Sequence, residues 1–201
     1  MVILGIDPGY GIIGYGVIEK DARGKCKMLA YGAIKTPTDE TFPVRLCMID
    51  EAMQKLIHKY KPDAVAVEEL FFNTNITTGI KVAEARGVII VAAAKECAGL
   101  FEYTPSQIKL AITGTGKAEK QQVQYMTKMM LGLDSIPKPD DAADALAVAL
   151  THAQTNNQIK NNSMMQFEKL KSGRKKSTSS FEKLLLAQQK ARKSNINNWK
   201  S

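Results

Sequence analysis

The sequence predicts an α/β fold in which a mixed five-stranded sheet is flanked by helices. Five short apolar runs end at turn residues, as strands do. The first three follow one another through short turns, which favours antiparallel pairing, whereas the last two alternate with stretches of helical periodicity. The chain has 201 residues, of which 44% are hydrophobic, enough for one domain with a core, or for a domain with an appendage.

The first half of the chain holds four of the strands. They are predicted at Val2–Ile6, Gly14–Glu19, Lys27–Lys35 and Ala64–Val67. The first ends at Asp7-Pro8-Gly9 and the third at Thr36-Pro37-Thr38, both typical turns. Between the third and fourth strands, Pro43–Tyr60 has apolar residues at helical spacing, and Pro62 ends that helix.

The second half is mainly helical. An Ala/Val-rich stretch, Ile76–Gly99, predicts a long helix whose small residues allow close packing. A short strand, Phe101–Tyr103, follows it, and three further helices are predicted near 105–112, 117–131 and 139–154.

The positive charge lies at the end of the chain. Residues 1–158 contain 17 Lys+Arg against 18 Asp+Glu, whereas residues 159–201 contain 11 against 2. Asn, Ser, Lys and Gln dominate the start of this tail, so we divide the chain into a domain at 1–157 and a basic, disordered, low-complexity tail at 158–201. A capping pattern at Ser179–Glu182 predicts a short amphipathic helix at 180–193. An anionic partner is therefore indicated by charge for the tail alone.

Several classes of protein are excluded. No apolar run is long enough to span a membrane, and the chain starts in a strand-like segment instead of a signal peptide. Cys26, Cys47 and Cys97 are odd in number and far apart, so neither a disulfide framework nor a zinc site is expected. A cytoplasmic protein without membrane contact fits these features.

Two glycine motifs suggest nucleotide binding but fail in context. Gly9–Gly14 matches GxGxxG, yet the following residues predict another strand where a dinucleotide site needs a helix. Gly114–Lys117 resembles the end of a P-loop, but Ala111 and Ala118 stand where the loop needs Gly and Ser/Thr. We expect the glycines of the first motif to serve a tight turn and a close backbone approach, and those of the second to connect two helices.

Acidic residues at three places are candidates for metal binding. Asp7 ends the first strand, Glu68 and Glu69 end the fourth, and Asp140, Asp141 and Asp144 lie on the last helix of the domain. Carboxylates that meet in a site of low dielectric repel one another, and a hard cation such as Mg²⁺ relieves that repulsion. Two such ions can drive phosphodiester hydrolysis.

An ordinary structural interpretation stays open for most of these acids. An Asp before Pro-Gly is commonly a turn residue, and paired Glu at a strand end are usually solvated. Asp140 and Asp141 follow Pro139, where acids favour the helix dipole. Asp144 is the hardest to explain in this way, because it lies beyond the first turn of an apolar helix.

Together these segments resemble the RuvC family of Holliday-junction resolvases, in the RNase H-like superfamily. The matching pieces are ILGIDPG at 3–9, GYGV at 14–17, AVEELF at 66–71, ARGV at 85–88, AEKQQVQ at 118–124 and DAADALA at 141–147. The resemblance runs in order over residues 1–154. It implies an RNase H-like fold for the domain, and the tail has no recognisable counterpart.

The resemblance also implies roles for particular residues. The four catalytic, metal-binding acids of the family correspond to Asp7, Glu68, Asp141 and Asp144, which leaves Glu69 and Asp140 as neighbours. Phe71 matches an aromatic residue that lies against bases, and Phe72 is adjacent to it. The candidate phosphate contacts are Lys109, Lys117 and Lys120, with a solvated helix face as the ordinary alternative.

The implied function is Mg²⁺-dependent resolution of Holliday junctions in DNA recombination and repair. Two ions per subunit, with Mn²⁺ as a substitute, would support symmetric nicking of two strands that leaves 5′-phosphate ends. The implied partners are four-way junction DNA, a second copy of the chain in a homodimer, and the RuvA–RuvB branch-migration complex. Two alternatives remain: a non-catalytic junction-binding protein, and an actin-like ATP-binding domain, whose superfamily shares the strand followed by Asp-x-Gly.

Overall fold

The computed structural model describes residues 1–70, 76–96 and 99–155. Phe71, Phe72 and Cys97 lie outside these residues, as does the whole predicted tail with its helix at 180–193. The sheet, the helices and most of the candidate site lie within them.

The sheet is mixed and has five strands, as predicted. The strands are β1 (Val2–Asp7), β2 (Ile12–Lys20), β3 (Cys26–Lys35), β4 (Ala64–Glu68) and β5 (Leu100–Tyr103). Their order is β3-β2-β1-β4-β5, with β1, β2 and β3 antiparallel and with β4 parallel to both β1 and β5. The glycines at 9–14 lie at the hairpin between β1 and β2, which excludes the dinucleotide interpretation.

Two layers of helices cover the sheet. The helices are α1 (Phe42–Tyr60), α2 (Ile76–Glu96), α3 (Pro105–Thr113), α4 (Lys120–Leu131) and α5 (Asp140–Gln154). One core cluster joins α1 and α2 to residues such as Leu4 and Val65, and the other joins α3, α4 and α5 to residues such as Ile3 and Ala66. No helix in the described ranges is long and apolar enough to cross a membrane.

The start of α4 differs from the sequence prediction. Helix was predicted from residue 117, but α4 begins at Lys120, because Glu119 and Gln122 form a capping box at its start. The preceding helix, α3, ends at Gly114, which adopts a left-handed conformation (φ 80°) that glycine tolerates best. The glycines at 114 and 116 therefore separate two helices, as the sequence predicts, and Lys117 lies in the turn between them.

Glycines on β1 and β2 allow α5 to lie directly on the sheet. A Cβ added at Gly5 would lie 2.1 Å from the carbonyl oxygen of Ala145, and one at Gly14 would lie 1.9 Å from that of Asp141. At Gly16 the same atom would lie 2.7 Å from the side chain of Leu146. Side chains at these positions would push the helix away, so the glycines fix how closely the acidic end of α5 approaches β1.

Substitution of Gly14 by alanine should therefore destabilise the fold. We expect Gly14→Ala to lower the free energy of unfolding by about 1–3 kcal/mol or more, because the clash is with helix backbone. Gly32→Ala is the matched control on β3: its Cβ would meet only the ring end of Tyr15, which can rotate. Urea unfolding should show a change below about 1 kcal/mol for the control, and equal stabilities for the two variants would contradict the close-packing argument.

Candidate active site

Asp7 and Glu68 end two adjacent parallel strands. Ile6 pairs with Val67, so the next residue on each strand lies at the same edge of the sheet. Side chains alternate along a strand, which puts Asp7 on the same face as Gly5 and puts Glu68 on the same face as Ala66. That face is the one covered by α5.

The two aspartates of α5 lie opposite these strand ends. The backbone of Asp141 lies against Gly14, which is also the direct partner of Asp7 in the β1–β2 pairing. Asp144 follows three residues later and therefore lies on the same side of the helix. The structure thus brings the four predicted acids together at one end of the sheet.

Burial and mutual repulsion make Asp7 a weak acid. Burial, followed by the negative charges of Glu68, Asp144 and Asp141 in that order of importance, raises the pKa of Asp7 to about 8. Only the Lys120 ammonium acts in the opposite direction. Without a further cation, Asp7 is consequently protonated in the folded protein at neutral pH.

Glu68 shows the same effect to a smaller degree. Burial, together with the negative charge of Asp144, raises the pKa of Glu68 to about 7. A hydrogen bond with Asp7, together with the positive charges of Lys120 and Lys109, lowers the pKa in part. Because this hydrogen bond lowers the pKa of Glu68, it favours the ionised Glu68 carboxylate as the acceptor and the Asp7 carboxyl as the donor.

Lys120 is the internal counter-ion of the site. Its ammonium nitrogen Nζ lies 2.7 Å from Oδ2 of Asp144. Burial lowers the pKa of Lys120, but the hydrogen bond and charge of Asp144, together with the charges of Asp140 and Asp7, outweigh burial and raise it. A cleft of about 170 Å³ opens at this ion pair, and its walls also include Glu68 and Lys109.

The remaining candidates lie elsewhere. Asp140 faces outward and accepts a hydrogen bond from Lys138 at 2.7 Å, which lowers the pKa of Asp140. Lys117 is exposed in the turn before α4 and does not line the cleft. Glu69 acts electrostatically on Arg86, a residue of α2.

Divalent cations fit the donor chemistry of the cluster. Four carboxylates supply hard oxygen ligands, and the raised pKa values show that the site lacks positive charge. In the present side-chain positions, no three His, Cys, Asp or Glu residues of the described ranges could hold one ion together. One carboxylate oxygen of Asp144, Oδ2, is paired with Lys120 in this structure.

Sequence reasoning missed the uncharged part of this region. The cleft is also lined by Pro105, Ile108, Val123 and Ala147, which exclude water from one side of Lys120. Gln124 lies one turn after Lys120 on α4 and is 6% exposed. The sequence does carry a signal for Gln124, because a residue four positions after Lys120 lies on the same face of a helix.

Comparison with known proteins agrees with this geometry. Residues 3–152 match the family model described as crossover junction endodeoxyribonuclease RuvC. A RuvC of Brevibacillus brevis is 53% identical over 154 residues, covering 77% of this chain and 92% of that protein. The Thermus thermophilus RuvC structure is similar with a TM-score of 0.71 and 39% identity, covering 76% of this chain and 93% of that one.

A second solved structure includes DNA. It shows Thermus thermophilus RuvC in complex with a Holliday junction substrate, with a TM-score of 0.69, 36% identity and coverage of 76% and 93% of the two chains. The mixed sheet and the acidic cluster at its edge define the class, an RNase H-like nuclease. Within that class, the chain belongs to the family of RuvC crossover junction endodeoxyribonucleases. The resemblance seen in the sequence is confirmed.

The raised pKa values predict how stability depends on pH in metal-free buffer. The folded-state pKa of Asp7, about 8, and that of Glu68, about 7, lie above their ordinary values. The two protonated carboxyl groups therefore contribute fully to the free energy of unfolding below about pH 4, and this contribution is lost as the pH rises to about 8. The loss is up to about 1.4 kcal/mol per pH unit for each group. Asp7→Asn should be more stable than the unaltered protein at pH 8, and the advantage should vanish at pH 4.

Chemical unfolding at several pH values, in chelator, checks this prediction. Asp134→Asn is the control, since Asp134 is an exposed carboxylate in the loop before α5, and its pH profile should parallel that of the unaltered protein. Added Mg²⁺ should stabilise the unaltered protein more than the Asp7→Asn variant. Equal stability of Asp7→Asn and the unaltered protein at pH 8 would contradict the electrostatic account.

Proposed function

We propose that this protein is a structure-selective endonuclease that resolves Holliday junctions in DNA recombination and repair. It nicks two strands symmetrically and leaves 5′-phosphate ends. The observation that carries the proposal is the cluster of four carboxylates at the edge of the sheet, in a chain of the RuvC family. A solved relative at 36% identity binds a Holliday junction substrate, which supports the same substrate here.

The acids that would hold the ions are Asp7, Glu68, Asp141 and Asp144. Asp7 is the most buried of the strand-end pair and is affected by the charges of all three others, which favours a position between two ions. We assign two Mg²⁺ per subunit, with Mn²⁺ as a substitute. When bound, the ions would activate the attacking water and stabilise the leaving oxygen.

Basic side chains at the cleft would bind the DNA backbone. Lys120 leaves Asp144 when that carboxylate turns towards the acids, and its ammonium then becomes available to a phosphate oxygen. Lys109 lines the same cleft and its charge acts on Glu68. Lys117, exposed in the turn before α4, would contact phosphates further along the strand. We assign base stacking to Phe71 and Phe72, a contact that tolerates any base.

A four-way junction presents two strands for cutting, and a homodimer would supply two sites related by a two-fold axis. The outer surface of α2 supports this assembly, because Ile80 and Val91 are 54% and 50% exposed there. A groove between α1 and α2 adjoins Val91, and its walls combine apolar residues such as Leu46 and Val88 with charged ones such as Glu84 and Lys95. It lies on the face of the sheet opposite the acids.

The cellular context follows from the substrate. Resolution of junctions would place the protein in the cytoplasm beside the DNA, acting with the RuvA–RuvB branch-migration complex. A junction-binding protein without catalysis remains the alternative outcome of the experiment below. Membership of a nuclease family removes the support for an actin-like ATP-binding domain.

Cleavage of a synthetic four-way junction in Mg²⁺ tests the proposal. The unaltered protein should nick two opposed strands, and Asp7→Asn and Asp144→Asn should each lower the rate at least about 100-fold, since each removes a metal ligand. The control is Asp140→Asn, whose carboxylate pairs outward with Lys138, and its rate should stay within about threefold. Binding should survive in every variant when it is measured by gel shift.

Three outcomes count against the proposal. Junction binding without cutting at any Mg²⁺ or Mn²⁺ concentration would establish the non-catalytic alternative. Undiminished cutting by Asp7→Asn would remove the assigned metal site. Equal cutting of linear duplex and four-way junction would contradict structure selectivity.

The basic tail should add DNA affinity without sequence preference. Residues 159–201 carry 11 Lys+Arg and 2 Asp+Glu, so their deletion removes counterion release on binding. We expect a smaller slope of log Kd against log salt for the truncated protein, with an unchanged cleavage rate at saturating enzyme. The same slope for both proteins would show that the tail does not bind the junction.

A further inference from the structure

An uncharged groove of about 610 Å³ lies along α4. Its walls include Thr113, Thr115, Gln121, Gln124, Tyr125 and Ile136, and no charged side chain lines it. The neighbouring cleft, by contrast, is lined by Glu68, Lys109, Lys120 and Asp144. Hydroxyl, amide and aromatic groups without charge suit the base of a nucleotide better than its phosphate.

The groove and the catalytic cleft are lined by neighbouring residues of α4. Lys120 lies in the cleft, and the next residue of α4, Gln121, already lines the groove. Tyr125 follows Gln121 by four residues, so the two side chains share one face of the helix. The Tyr125 side chain is 54% exposed, which leaves its ring accessible to a second ring.

The buried side chain of Gln124 independently indicates that a hydrogen-bond acceptor is missing from the groove. It is 6% exposed, lines the groove, and has no hydrogen-bond partner for Nε2 within the described residues. The Gln124 carboxamide is close enough to Asp140 to lower the pKa of that carboxyl, but Nε2 does not reach it with the geometry of a normal hydrogen bond. A buried donor left unpaired is unfavourable, so an acceptor that enters the groove and pairs with Nε2 would bind more tightly.

We propose that this groove binds a nucleotide of the DNA strand next to the phosphate that is cut. Tyr125 stacks on its base, and the carboxamides of Gln121 and Gln124 contact its edge. Carboxamides distinguish bases by their donor and acceptor pattern, so the groove contributes to the preferred cleavage sequence. The inference rests on the proposed nuclease function and assigns a specificity site beside it.

Tyr125→Ala and Met129→Ala form a matched pair of variants. Met129 lies one turn further along α4, is 56% exposed and does not line the groove. The substrates are four-way junctions that differ only in the bases flanking the cut. Loss of stacking should raise KM for Tyr125→Ala roughly 5- to 150-fold and flatten the differences among junctions, while kcat changes little. Met129→Ala should behave as the unaltered protein does.

Gln121→Ala removes an exposed side chain of the groove and tests recognition of the base edge. It should alter which junctions are cut best while the midpoint of thermal unfolding stays constant. Cleavage by the unaltered protein in the same assay tests the nuclease function separately. If it cuts with sequence preference and both groove variants keep that preference and its KM, the groove does not bind the substrate.

Photocrosslinking gives a second measurement that does not depend on the groove variants. The Asp7→Asn protein is bound to a junction that carries 5-iododeoxyuridine on either side of the cut and is then irradiated. Crosslinks mapped by mass spectrometry to Tyr125 support the proposal. Crosslinks from both positions to other segments alone overturn it.

Discussion

The contact between α5 and the glycines of β1 and β2 determines the geometry of the site. Gly5 and Gly14 carry no side chain, so the backbone of α5 lies against strand backbone at these positions, and at Gly16 the side chain of Leu146 fills the space. This contact brings Asp141 beside Asp7 and buries both strand-end acids enough to raise their pKa values. If the helix lay at an ordinary distance, the same four carboxylates would be solvated and would not form a cluster.

Much of the fold and part of the site could be predicted from sequence, for identifiable reasons. The strand ends at Asp7 and Glu68 follow from apolar runs that stop at a turn or an acid, and both lie where expected. A close backbone approach at the glycines of 9–14 was predicted, but its partner, α5, was not, because the contact joins two strands to a helix far away in sequence. The start of α4 was misplaced although Glu119 and Gln122 carry the signal of a capping box. The ion pair between Lys120 and Asp144 likewise needed the tertiary structure.

The two faces of the sheet differ in the helices that cover them and in the residues that they carry. Residues of β4 alternate between the two cores, with Val65 and Val67 packed against α1 and α2 and Ala66 packed under α5. All acids of the cluster lie on the α5 face, and the exposed apolar residues Ile80 and Val91 lie on α2. The acid cluster and the exposed apolar residues of α2 therefore lie on opposite faces of the sheet, joined through the strands between them.

The Lys120 ammonium would compete with metal ions for the carboxylate of Asp144. This ammonium, 2.7 Å from Asp144, neutralises part of the acid cluster and shares the carboxylate that an incoming ion would need. Because the ammonium is covalently attached to the chain, it is always present at the site. A free metal ion would therefore have to displace it from Asp144. Half-occupancy therefore requires a higher ion concentration than four unpaired carboxylates would. Substrate phosphates, by attracting the lysine away from Asp144, would lower that threshold and couple the affinity for ions to the presence of DNA.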